Sequence, residues 1–255
     1  MMPSSTDAVS VLMPCLLYTS YIERGAQSLP VLEFVAQLYA RNPQNVRLLL
    51  GNWDMGILSA IEKGDCALLY KNMQRFKAYA GNTLYNEMCA RVGMDSGSES
   101  AMRAAHSKVM EKFGALIRFF LERPIVLDAG EMVFVHGGLP HGGLQALDPG
   151  HPYGCMKFDD FLWQDSVFAR PVVFGHMPVV NGRRHVPCAL PYFDARRNVI
   201  GIDGGCGVKH EGQLNACLLY TSESGAVSGF CFAHRHAMPV RAAAGPQNAE
   251  ICVKL

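Results

Sequence analysis

Four short stretches place a glycine, a carboxamide or an imidazole directly after a run of apolar residues. They are Leu48-Leu49-Leu50-Gly51-Asn52-Trp53-Asp54, Val133-Phe134-Val135-His136-Gly137-Gly138-Leu139-Pro140, Val172-Val173-Phe174-Gly175-His176-Met177-Pro178 and Ile200-Gly201-Ile202-Asp203-Gly204-Gly205-Cys206. Where a buried strand ends the backbone turns, and side chains placed there point into a shared crevice. Asn52, His136 and His176 would then arrive from three different strand ends. Amide oxygen and neutral imidazole nitrogen are suitable ligands for Zn, Fe or Mn. Glycine beside each His lets the backbone approach closely. A single His at a strand end is more often a hydrogen-bonded surface or core residue than a ligand; three such segments together are the reason to expect a metal site. The other His, such as His106 on a helix and His234 and His236 near the end, lack this setting and are expected to be solvated.

These segments need elements to hold them. Apolar residues recur at helical spacing over 31–39, and Asn42-Pro43 closes that helix before a buried strand over 46–50. The period is again near 3.6 over 55–70 and over 98–121, the latter with Met102, Val109, Phe113, Leu116, Ile117 and Phe120 on one side. After Arg123-Pro124 the texture changes to short β-type pieces at 125–127, 132–135, 172–174, 199–202, 214–220 and 226–232, punctuated by Gly and Pro. The expectation is one layered α/β domain with a helical insertion.

The 255 residues, 49% hydrophobic and 18% charged, are enough to bury one substantial core and exclude whole-chain disorder. With 23 basic and 22 acidic residues there is no global field to draw the chain onto nucleic acid or anionic lipid, so neither is expected as a partner. The apolar run over 11–17 is broken by Pro14, and no run approaches the roughly 20 residues of a membrane span. No Lys or Arg precedes Arg24, so the start lacks the charged region of a secretory signal and a cytoplasmic location is expected. The nine Cys contain no C-x-x-C pair and read as reduced, mostly buried thiols.

Taken in order, these blocks resemble the calcineurin-like metallophosphoesterases, in particular the phosphoprotein-phosphatase (serine/threonine phosphatase-like) branch and its bacterial members. Tyr21-Ile22-Glu23-Arg24-Gly25 is similar to the second half of the family's G-D-x-x-D-R-G block, and Gly51-Asn52-Trp53-Asp54 to G-N-H-E. The segments at His136 and His176 are similar to V-H-x-G-L-P and G-H-T-P, and 202–206 with 212–216 to a closing β-hairpin. The resemblance runs from Tyr21 to Phe232. It implies an α/β fold, a metallophosphoesterase-type β-sandwich flanked by helices, occupying 21–240 with a helical insertion at about 55–121 and a C-terminal tail over 241–255. It further implies two divalent ions (Mn, Fe or Zn) and attack of a metal-bound hydroxide on a phosphate ester. Asn52, His136 and His176 would hold the second ion. Arg24 and Asp54 are the catalytic candidates, Arg24 gripping phosphate oxygens in bidentate fashion and Asp54 supporting the ligands from behind.

Three departures weaken that site. Ser20 stands where the family has its bridging Asp, and a neutral hydroxyl is a poor bridge between two dications. No G-D-x-H-G precedes it; the first twenty residues hold one acid, Asp7, and no His. Trp53 replaces the presumed general acid, and indole cannot deliver a proton near neutral pH. Glu23 for Asp adds only a methylene. The hexapeptide Cys-Leu-Leu-Tyr-Thr-Ser also occurs twice, at 15–20 and 217–222. It is one translation of the end sequence of transposon adapters used in sequencing libraries, so residues 1–20 are expected to be a foreign or disordered segment.

The expected function is therefore metal-dependent phosphoester hydrolysis, on a phosphorylated protein or a small phosphoester, with this chain impaired and holding at most one ion. Two alternatives stay open: a diadenosine polyphosphate hydrolase on the same fold, and a non-catalytic pseudophosphatase that binds a protein through its helical insertion.

Overall fold

The computed structural model describes residues 15–76, 82–148, 151, 153–183, 188–206, 212–221, 227–234 and 249–253. In chain order the elements are β1 (Cys15–Thr19), α1 (Ser28–Arg41), β2 (Val46–Leu50), α2 (Asn52–Lys63), α3 (Cys66–Phe76), α4 (Leu84–Arg91), α5 (Glu99–Leu121), β3 (Val126–Asp128) and β4 (Val133–Val135). They continue as α6 (Tyr153–Met156), β5 (Val172–Phe174), β6 (Tyr192–Asp194), β7 (Val199–Gly201), β8 (Leu214–Thr221), β9 (Val227–His234) and β10 (Ala249–Val253).

The strands form two five-stranded mixed sheets, ordered β2-β1-β10-β8-β9 and β3-β4-β5-β7-β6. In the second sheet β4, β5 and β7 run parallel, so their carboxyl ends open on the same edge. Period-two alternation then sorts the core. Val46, Leu48 and Leu50 of β2 join the cluster built by α1, α2, α4 and α5, whereas Leu49 points the other way, to Phe134, Val173 and Ile200 of the second sheet. The outer face of that sheet carries Val133, Val135, Val172, Phe174 and Val199 against Leu139, Phe161 and Leu162. Among the described residues Leu49 is the first-sheet member of the cluster with Phe134, Val173 and Ile200, and the fold is mixed α/β.

Local chemistry sets the helix limits. Asn42 closes α1 by donating its backbone N–H to Leu38 and Tyr39 carbonyls. Ser98 caps α5, its Oγ accepting the Ala101 N–H at 3.1 Å, and Met102, Ala105, Val109, Phe113, Ile117 and Phe120 bury one stripe. The helix expected over 55–70 is broken in two: Gly64 ends α2 in the left-handed region at φ 68, a conformation glycine adopts without a Cβ penalty. α4 and β6 were not legible from periodicity.

Parts of the two terminal segments join the first sheet. Part of the segment expected to be foreign or disordered forms β1, between β2 and β10 and parallel to both. Part of the expected tail forms β10, antiparallel to β8. Both are short apolar stretches that find two hydrogen-bonding neighbours. Residues 15–19 of the first hexapeptide copy form β1 and residues 217–221 of the second lie on β8, on either side of β10. Residues 1–14 and 235–248 lie outside the described residues. Among the described residues no helix is long and apolar enough to cross a membrane. Cys66, Cys89 and Cys155 are buried free thiols, whereas Cys206 is exposed.

Candidate metal and anion site

Three strand ends deliver the expected side chains to one place. Asn52 opens α2 directly after β2, His136 follows β4, and His176 lies two residues beyond β5. The Gly175 N–H donates to the His136 carbonyl at 2.8 Å, tying the last two turns together. The Asn52 Oδ1 and His136 Nε2 atoms, 84 residues apart in sequence, are 2.9 Å apart and buried. The rings of His136 and His176 lie 5.3 Å apart, centroid to centroid, nearly edge to face. His176 has φ 65, a left-handed conformation that is unusual for a residue with a Cβ and is held by the packed turn around it.

Asp159 adds a partner that sequence reasoning missed. Its Oδ1 lies 2.7 Å from His176 Nε2, and that contact holds the Asp159 carboxyl below its usual range. A carboxylate against one ring nitrogen holds the orientation of the imidazole, as the carboxylate partners of metal-ligating histidines do. Nothing in Phe158-Asp159-Asp160-Phe161 distinguishes this acid from a solvated loop residue.

Asp54 sits behind the site. It is fully buried, accepts the Tyr21 N–H at Oδ1 (2.7 Å) and the Gly51 N–H at Oδ2 (2.9 Å), and thereby clamps the end of β1 to the end of β2. Burial pushes its pKa up to about 7, against the opposing pull of those N–H groups. Gly51 leaves room for the clamp, since a Cβ there would come within 2.9 Å of Ser20 Oγ and Asp54 Oδ2. Ser20 therefore lies beside Gly51, one residue from Asn52.

Glu23 and Arg24 follow in a left-handed turn, with φ 65 and 60. Glu23 turns inward, 6% exposed, where its Oε1 accepts the Leu84 N–H at 3.2 Å. Burial raises its pKa to about 7. Arg24 turns outward to line a cavity of about 650 Å³ together with Asn52, Trp53, Lys71, Arg75, Lys157, Asp159 and His176. The size suits a small ligand. Four of these side chains are cations, Arg24, Lys71, Arg75 and Lys157, against one acid, Asp159, already paired with His176 and 3.8 Å from Lys157. The Trp53 indole has the Arg24 guanidinium 5.5 Å and the Arg75 guanidinium 5.4 Å from its centroid.

Two donors each at the usual 2.0–2.2 Å from one ion and near a right angle lie about 3 Å apart, so the Asn52–His136 pair fits one edge of a coordination sphere. Among the described residues no group of three His, Cys, Asp or Glu is placed to hold a metal, so the candidate donor set is one amide oxygen and two imidazoles, with Ser20 beside Gly51. His106, expected in solvent, is half-buried with its ring against Gly64. The chain matches no family model and has no significant match among curated proteins.

Proposed function

We propose that the fold is a metallophosphoesterase-type β-sandwich flanked by helices, and that its site is built for metal-dependent hydrolysis of a phosphoric ester. The observation that carries the reading is the meeting of Asn52, His136 and His176, the first and last of which line a cavity that also holds four cations. A divalent ion such as Mn, Fe or Zn, when bound by these three residues, supplies Lewis-acid polarisation of a phosphoryl oxygen. The remaining work falls to the protein. Arg24 neutralises and orients the phosphoryl group, Asp159 holds the His176 ring, and Asp54 keeps the Ser20–Asn52 corner in place. Trp53 offers no proton to a leaving group, so with the missing metal ligands restored, esters with activated leaving groups are the ones the site would cleave.

As written the chain is impaired, because Ser20 cannot bridge a second ion. Replacing Ser20 with Asp and grafting a metal-binding block ahead of it should produce Mn-dependent hydrolysis of an aryl phosphate that the unaltered chain lacks. Failure of such restored proteins on several phosphoesters would count against hydrolysis.

A second reading, a non-catalytic module that binds a phosphorylated partner, is favoured by one observation. Trp53, in place of a proton donor, is flanked by two guanidinium groups. Catalysis in the restored protein separates the two.

A further inference from the structure

We infer that Arg24 and Arg75, gathered on Trp53, form with Lys71 of the same cavity a metal-independent binding site for a phosphoryl dianion, with Trp53 the residue that positions the guanidinium groups. The inference shares Arg24 with the hydrolase reading but does not need a metal.

Three features carry it. The first is the arrangement on one indole. A guanidinium over an aromatic face is attracted by the ring quadrupole. Trp53 holds two of them, both aimed into the same cavity. Two cations gathered on one ring repel each other, and an oxyanion bound between or beside them relieves that repulsion.

The second is the composition of α3. The helix reads Cys-Ala-Leu-Leu-Tyr-Lys-Asn-Met-Gln-Arg-Phe, with no acid in it. Lys71 and Arg75 are four residues apart and so lie on one face, a like-charge spacing that costs an isolated helix a few tenths of a kcal/mol. Both are exposed, and among the described residues neither has an ion-pair partner. Leu68 and Asn72 of the same face also line the cavity, so this face looks onto the site and not only onto solvent.

The third is the geometry of the cavity. Lys157 and His176 also line it, with Asp159 paired to both. A tetrahedral dianion can accept hydrogen bonds from several sides at once, and guanidinium forks match paired phosphate oxygens. A carboxylate, planar and singly charged, would use fewer of these donors. The shared chemistry is the phosphoryl dianion, whether free phosphate or the phosphoryl group of an ester.

Calorimetry of the full chain in EDTA, with inorganic phosphate and phenyl phosphate as separate titrants and acetate as comparison, tests it. Both phosphates should bind and acetate should not; tighter phenyl phosphate than phosphate assigns the site to esters, the reverse to the free ion. Arg75→Gln should weaken binding about tenfold, as loss of one charge-assisted contact would, and Lys71→Gln should add to it. Trp53→Phe should keep part of the affinity and Trp53→Ala less, with unchanged circular dichroism confirming the fold. An Asn52→Ala, His136→Ala double variant should lose metal binding yet keep phosphate binding, so failure of the hydrolase reading leaves this one standing. Absence of phosphate binding in EDTA, equal binding of acetate, or indifference to Arg75→Gln would overturn it.

Discussion

The carboxylate of Asp54 joins the backbone N–H groups of Tyr21 and Gly51, 2.7 and 2.9 Å away, and so fixes the distance between the chain leaving β1 and the chain leaving β2. Everything the site needs from the first sheet, Ser20, Arg24 and Asn52, hangs from that clamp. Replacing Asp54 with Asn keeps one acceptor oxygen but turns an amide N–H toward a backbone N–H. The expected cost is about 1–3 kcal/mol, read from urea unfolding. An unchanged midpoint would show that the clamp is dispensable.

Glu23 gives the protein a pH dependence of known sign. Its pKa rises from 4.5 to about 7 on folding, mainly by burial, with Glu87 adding to it. Between those values the folded state holds the proton more tightly than the unfolded chain, so this group's contribution to stability falls as pH rises from about 4.5 through about 7. Glu23→Gln should therefore be relatively more stable at pH 8 than at pH 5 when compared with the parent protein. Denaturant midpoints at the two pH values measure this.

Leu49 is clustered with Phe134, Val173 and Ile200 of the second sheet and fully buried. Leu49→Ala should cost about 2–5 kcal/mol through lost burial and a residual cavity. Because β2 leads directly into Asn52, the same change should also weaken metal binding, whereas truncation of the exposed Phe34 should do neither.

Gly138 follows the His136 turn, and a Cβ there would run into the Phe161 ring. Gly138→Ala forces either that ring or the His136 loop to move. A loss of about 1–3 kcal/mol is expected, visible as a lower thermal midpoint. A variant as stable as the parent would show that the loop has slack.

The elements that the sequence reveals are those with long periodic faces. α1, α5 and the strands at β2, β4 and β5 announce themselves because one physical signal, apolar periodicity or a short β-branched run, is sufficient. β10 and β1 were hidden because their pairing is non-local: a five-residue apolar stretch says nothing of its partner 200 or more residues away. The break between α2 and α3 turns on one left-handed glycine, Gly64, inside a pattern that otherwise reads through. At the site, Asn52, His136 and His176 were legible from their position after strands. Asp159 was not, since a loop acid next to an aromatic carries no signal until the fold sets it against His176. Arg75 and Lys71 did leave a trace, two cations four apart on a helix without acids, but only the folded cavity gives them a common target.

Asp159 tests whether the His176 ring is held for a ligand. Asp159→Asn should reduce metal affinity by about 10–100-fold, the usual effect of removing the partner of a ligating imidazole, with little change in stability because Asp159 is about half exposed. Isothermal titration with Zn or Mn reads it. Equal affinity in both proteins would mean that the contact is a surface ion pair only.

The most direct measurement is metal stoichiometry. Purified protein titrated with Mn or Zn should take up one equivalent per chain, and His136→Ala and His176→Ala should each abolish it while His106→Ala leaves it intact. No bound equivalent in the parent protein, or binding that survives both substitutions, would contradict the account.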